Sequence, residues 1–267
     1  MLTDMIASLT SPSAYRRFAG EKPSRTAAYT ALLALIFVAA LSVAIKIRLT
    51  PLFDETFSWL KTSMPAITFS AGKVTSTALT PTRVEHPRAK EVAVMIDTER
   101  TDPVTSAQMT EAKVLAYLTG NALYMERDGR LEVFDLAKSS SGKAVTIDAQ
   151  SYGEMERIFN WVFYPVVLLL FFVIFCVSLC FFGAIYGLVG MLVASLTGAE
   201  LGFGALFRLA IHAQSASVLL RSLDALSPVR IPLAGALSLV LSVTYLTLGI
   251  RAAARPETAP APTAPEA

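Results

Sequence analysis

Residues 161–196 read WVFYPVVLLLFFVIFCVSLCFFGAIYGLVGMLVASL and contain no charged side chain. An apolar run of about 18 residues suffices for a transmembrane helix, so this one is longer than a bilayer requires. Every other segment is placed relative to it. One further apolar segment precedes it, two follow it, and a polar stretch separates the first from the second.

The composition agrees with that reading. Of 267 residues, 54% are hydrophobic and 16% charged, against roughly 45–50% and about 25% in an ordinary soluble domain. The net charge of +2 offers no bulk basic field for nucleic acid. Cys176 and Cys180 lie one helical turn apart inside the long run and read as small packing residues. Two thiols on one helix lack the usual ligand set of a metal site, so no metal or cofactor is expected.

Residues 1–26 form a basic lead in which Leu2, Met5, Ile6 and Leu9 recur at helical spacing, suiting a short helix on the membrane surface. Arg16, Arg17, Lys22 and Arg25 precede the first span, residues 27–48, and favour a cytoplasmic N-terminus. The apolar stretch is too long for a cleaved signal peptide and reads as a retained anchor.

Residues 49–157 then lie outside the cytoplasm. Phe53, Phe57, Trp59 and Leu60 suit the outer interface. Alternation at Ile67 and Phe69, a turn at Ala71-Gly72, and the run Val92–Ile96 predict strands. Thr105 and Gln108 have capping-box spacing, predicting a helix to Leu118 that stops at Gly120. Asp128-Gly129 between Ala122–Arg127 and Arg130–Leu136 predicts a hairpin, and Val145–Ile147 adds a strand. The insert is therefore a small α+β domain. Ser151 and Glu154 form a second capping-box pattern, opening the helix of the long run.

Residues 158–196 form the second span, with Pro165 expected to kink it near the outer interface. A helical hairpin inside the bilayer would need a polar turn; one long helix is favoured, with five spans rather than four as the alternative. Gly183, Gly187 and Gly190 are candidates for close helix packing. Residues 197–204 are a glycine-rich linker without the lysine of a phosphate loop. Residues 205–226 and 231–250 form the third and fourth spans, and the Pro/Ala-rich tail 251–267 has nothing to bury.

The fold class is thus an α-helical polytopic membrane protein of four spans, with an α+β extracytoplasmic insert between the first and second. Its one unusual constellation is in the third span: Arg208, His212, Gln214, Arg221 and Asp224. Ionisable groups in a bilayer are costly and normally face a partner or a wet cavity. Gln214, Ser217, Arg221 and Asp224 form one helical stripe, Arg208, His212 and Ser215 another, with Arg221 and Asp224 spaced to pair. The competing reading has the terminal charges reach the two surfaces, leaving His212 and Gln214 deep. No catalytic motif is present, and His86 sits in a proline-flanked polar loop.

The segments SLTSPSAYRRF at Ser8–Phe18, ITFSAGKVTS at Ile67–Ser76, VAVMIDTE at Val92–Glu99 and NALYMERDGRLEVFDL at Asn121–Leu136 occur in this order. In them the chain resembles an uncharacterised bacterial integral-membrane family of the wider Yip-like clan, which includes a protein labelled for maltodextrin utilisation. The resemblance implies an N-terminal membrane helix, an extracytoplasmic insert and a C-terminal bundle, and supplies no catalytic or ligand residues. The expected function is non-enzymatic: an accessory or assembly factor of the inner membrane whose partners are the bilayer and another membrane or envelope protein. A homo-oligomer stays open. The alternative is a component of a sugar or lipid transport system using the third span.

Overall fold

The computed structural model describes residues 1–89, 92–127, 130–136 and 144–254. The chain divides into two compact units, Met1–Ile47 with Pro165–Ala267, and Arg48–Tyr164. Four helical segments are long and apolar enough to cross a membrane: Pro23–Arg48, Ala149–Thr197, Phe203–Leu226 and Ala234–Ala254.

The first unit opens with α1 (Leu2–Thr10), α2 (Ala14–Ala19) and α3 (Pro23–Arg48). Pro23 stands at the start of α3, where its missing N–H and fixed φ cost nothing. The short helix expected in the lead is present. α1 turns its polar residues Asp4 and Ser8 into the protein, while Leu2 and Ile6 are 61% and 58% exposed. The lead is part of the bundle because its polar side chains find buried partners there.

The second unit holds α4 (Thr50–Ser63), α5 (Ser106–Ala112), α6 (Ala149–Ile158) and, among the described residues, eight strands. Strands β1 (Ile67–Ser70) and β2 (Lys73–Ser76) form a hairpin, with Ala71 at φ 48° and Gly72 at φ 75°. β3 (Thr82–Glu85), β4 (Ala93–Asp97), β5 (Ala116–Thr119), β6 (Ala122–Arg127) and β7 (Arg130–Asp135) make a five-stranded sheet in that order. β8 (Val145–Ile147) pairs antiparallel with β1. The Asp128-Gly129 turn lies outside the described residues, but the flanking strands pair with Arg127 opposite Arg130.

Three expectations for this unit change. The helix after Thr105 is α5 (Ser106–Ala112), closed by Lys113 in a left-handed conformation. Ala116–Thr119 then pairs parallel to β4, with its tyrosine, leucine and threonine all buried and of types that suit a strand. The capping box itself forms, Thr105 accepting from Gln108 N–H and Gln108 Oε1 from Thr105 N–H. Helix α6 (Ala149–Ile158) is capped by Asp148, which accepts from Ser151 N–H at 2.9 Å, and so begins before the Ser151 pattern. Trp59 packs in the core with Ile67, Val84 and Ile96 rather than serving as an interface anchor; its indole N–H donates to Glu85 O. His86 meets the Trp59 ring edge-on at 5.0 Å.

Phe159–Phe163 forms a π-helical turn ahead of Pro165, whose ring crowds the carbonyl four residues earlier. From Tyr164 the chain continues as one helix, α7 (Tyr164–Thr197), through all three glycines. α8 (Phe203–Ala213), α9 (Ser215–Leu226) and α10 (Ala234–Ala254) complete the first unit. Of the tail 251–267, expected to be disordered, residues 251–254 continue α10 as helix, and residues 255–267 lie outside the described residues.

Candidate functional site

The third span is not one regular helix. It changes geometry at Gln214, whose N–H is shared between Ala210 O at 3.2 Å and Ile211 O at 3.3 Å. Neither glycine nor proline causes this. Polar side chains at the junction compete for backbone carbonyls: Ser215 Oγ donates to His212 O at 2.7 Å and Gln214 Nε2 to Ala210 O at 3.4 Å, while Gln214 Nε2 also reaches Leu179 O of α7 at 3.1 Å.

On one face lies His212, 1% exposed. Its ring stacks on Phe18 at 3.8 Å and on Tyr29 at 4.1 Å. Nε2 lies 3.2 Å from Glu21 Oε2, and Nδ1 is buried without a hydrogen-bond partner among the described residues. That pairing assigns the proton to Nε2, donating to the carboxylate. Glu21 also faces Arg25 Nε at 3.3 Å. Arg25 bonds the buried Asp4 at 2.9 Å, and Arg17 bonds the same carboxylate. Tyr29 Oη meets Ser215 Oγ at 2.6 Å, and Tyr15 Oη donates to Ser8 O at 3.0 Å.

The two lead carboxylates respond oppositely to this setting. Burial alone would raise Asp4, but Arg25 and the Met1 ammonium, 3.3 Å away, together outweigh it and hold the group below the usual carboxylate range. Burial dominates at Glu21 and pushes it up, with Arg25 offsetting part of the rise.

The other face meets α7 and α10 around a small cavity of about 10 Å³, lined in part by Ser178, Tyr186, Gln214, Ser217, Arg221 and Ser242. Ser217 Oγ donates to Ser238 O and meets Ser242 Oγ, both at 2.6 Å. The expected Arg221–Asp224 pair is absent. Asp224 instead accepts from Ile231 N–H at 2.7 Å, holding the turn before α10. Arg208 donates through Nε and Nη2 to Ala19 O at 2.9 and 2.6 Å, tying α8 to the end of α2. The five polar residues of the span therefore serve three places: His212 and Arg208 face the lead, Gln214 and Arg221 the cavity, and Asp224 a turn.

Three α7 glycines set how closely these helices approach. A Cβ on Gly183 would lie 2.7 Å from Ile211 Cδ1, on Gly187 3.1 Å from Phe203, and on Gly190 3.4 Å from Ile250. Among the described residues, no group of three or more His, Cys, Asp or Glu side chains could hold a metal.

Sequence reasoning missed Asp4, Glu21 and Tyr29 as partners of the third span. A signal was available: Asp4 and Glu21 are the only acidic residues before Asp54, set among four cations.

Four membrane-length helices, with a β-sheet region between the first and second, define a multi-pass membrane protein. Residues 2–250 match the family described as protein of unknown function (DUF1189), and the chain belongs to it. No curated protein and no solved structure matches the chain.

Proposed function

We propose that this chain is a non-enzymatic accessory or assembly factor of the bacterial cytoplasmic membrane that binds another membrane or envelope protein through its α+β unit. The observation that carries the reading is the β7 edge. Among the described residues β7 pairs with β6 alone, and Val133 and Phe134 on it are 54% and 47% exposed. An open edge with apolar side chains is a template for strand addition by a partner. Cations ahead of α3 support a cytoplasmic N-terminus and an extracytoplasmic α+β unit. The resemblance to the Yip-like clan, with its member labelled for maltodextrin utilisation, fits a place beside a permease.

A photo-crosslinking residue at Val133 in native membranes tests it. A discrete protein adduct that Phe134→Asp abolishes is expected. Absence of any adduct at Val133 and along β7, with the protein folded and inserted, overturns it.

A second reading, a component of sugar or lipid transport, is favoured by the change of helix geometry at Gln214 amid buried polar groups, since carriers often build sites at interrupted helices. Solute uptake lost in His212→Ala and Arg221→Ala, with assembly retained, would select this reading over the first.

A further inference from the structure

The cavity between α7, α9 and α10 has a chemistry that the accessory reading does not require. Arg221 lines it and lies within the third membrane-length segment, where an uncompensated charge is strongly disfavoured. Among the described residues Arg221 forms no ion pair or hydrogen bond, and Asp224 is engaged at Ile231. α7 carries no charged residue, and the one charge on α10 is another cation, Arg251. The remaining polar groups add donors. Tyr186 is 8% exposed, and its hydroxyl and that of Ser178 make no hydrogen bond among the described residues while both residues line the cavity. Gln214 Nε2, by contrast, already donates to Leu179 O and Ala210 O, and Ser217 and Ser242 bond each other.

A site with one unpaired cation, two free hydroxyls and no carboxylate repels metal ions and attracts an anion. Its volume of about 10 Å³ corresponds to roughly a single water-sized occupant, too small for a phosphate, a sugar or a lipid headgroup. We propose that this cavity binds a small monatomic anion of halide type, held by the Arg221 guanidinium and the Tyr186 and Ser178 hydroxyls. The ion supplies the counter-charge Arg221 lacks and ties α9 to α7. Phe175, Leu179, Phe182 and Val218 supply the apolar part of the wall. The α+β unit contributes no residue, so the site stands independently of the partner proposed above.

The test uses the full chain in lipid nanodiscs, titrated with sodium chloride against sodium gluconate at constant ionic strength. Chloride NMR line broadening reports binding and thermal unfolding reports its consequence. The wild type is expected to show saturable broadening and a chloride-dependent rise in Tm. Arg221→Gln is expected to weaken binding by at least about tenfold, as for loss of a charge-assisted bond, and Tyr186→Phe by several-fold. Arg251→Gln, at the exposed end of α10, leaves it unchanged. If Arg221→Gln fails to fold, Tyr186→Phe and Ser178→Ala carry the same test. A folded wild type without saturable chloride binding holds only water in the cavity, and the proposal falls. It falls equally if Arg221→Gln, Tyr186→Phe and Ser178→Ala all bind chloride as the wild type does.

Discussion

The ring of Tyr15 lies directly against Gly249: a Cβ built on that glycine would come within 2.2 Å of Tyr15 Cδ1. Tyr15 is 1% exposed and its hydroxyl is bonded to Ser8 O at 3.0 Å, so it has little room to yield. α2 thus rests on a bare stretch of α10 and brings Phe18 onto His212.

Gly249→Ala is therefore expected to loosen the lead, at a cost of about 1–3 kcal/mol for overpacking. Gly190→Ala should be nearly neutral, since its new methyl makes ordinary contact at 3.4 Å. Gly183→Ala should fall between, because Ile211 Cδ1 at 2.7 Å is the movable end of a side chain. Maleimide accessibility of a cysteine introduced at Ser8 follows the lead directly. Equal labelling in the Gly249 and Gly190 variants would contradict this ranking.

The Glu21–His212 pair should behave as a unit. Removing one partner leaves the other a buried polar group short of a hydrogen bond, at a cost of about 1–3 kcal/mol. His212→Ala and Glu21→Gln combined should cost clearly less than the sum of the two single variants, measured by thermal unfolding in detergent. Strict additivity would show that the two groups do not interact.

Acid stability separates the two lead carboxylates. Asp4 is held low, so its contribution is present above the ordinary carboxylate value and lost as pH falls through its lowered one. Glu21 is held high, so its contribution is full below its ordinary value and lost as pH rises through its raised one. Asp4→Asn should flatten a Tm-against-pH profile below about pH 4, and Glu21→Gln should remove a loss of stability above about pH 4. Identical profiles for both variants and the wild type would refute the assignment.

Ala71→Gly is expected to stabilise the α+β unit by about 1 kcal/mol, since Ala71 sits at φ 48°, where a Cβ is unfavourable and glycine is not. Gly72→Ala should do the reverse. Hydrogen exchange across β1 and β2 would read both effects.

Much of this architecture was legible because apolar length and turn chemistry are local signals. The charge-free run from Trp161, the capping box at Thr105 and the strands flanking Asp128-Gly129 each carry their reason in neighbouring residues. What escaped depended on distant groups. The cations around Asp4 hint at neutralisation without naming Arg25 and Arg17 as its partners, and the sequence around Trp59 does not show that Glu85 will accept its N–H. The Leu2–Leu9 periodicity was real, but partners for Asp4 and Ser8 decided which face turned inward. The turn at Gln214 likewise arises from side-chain competition for carbonyls at Ala210 and His212, which propensity does not record.

Helix α7 has 34 residues, about 51 Å at 1.5 Å per residue, against a hydrocarbon layer of about 30 Å. A rod that long must lean or protrude, and the energy of doing so depends on the surrounding lipid. Thick, long-chain bilayers let it stand straighter; thin ones force it over. Acyl-chain length is therefore a physical variable to which this protein is mechanically coupled through a single helix.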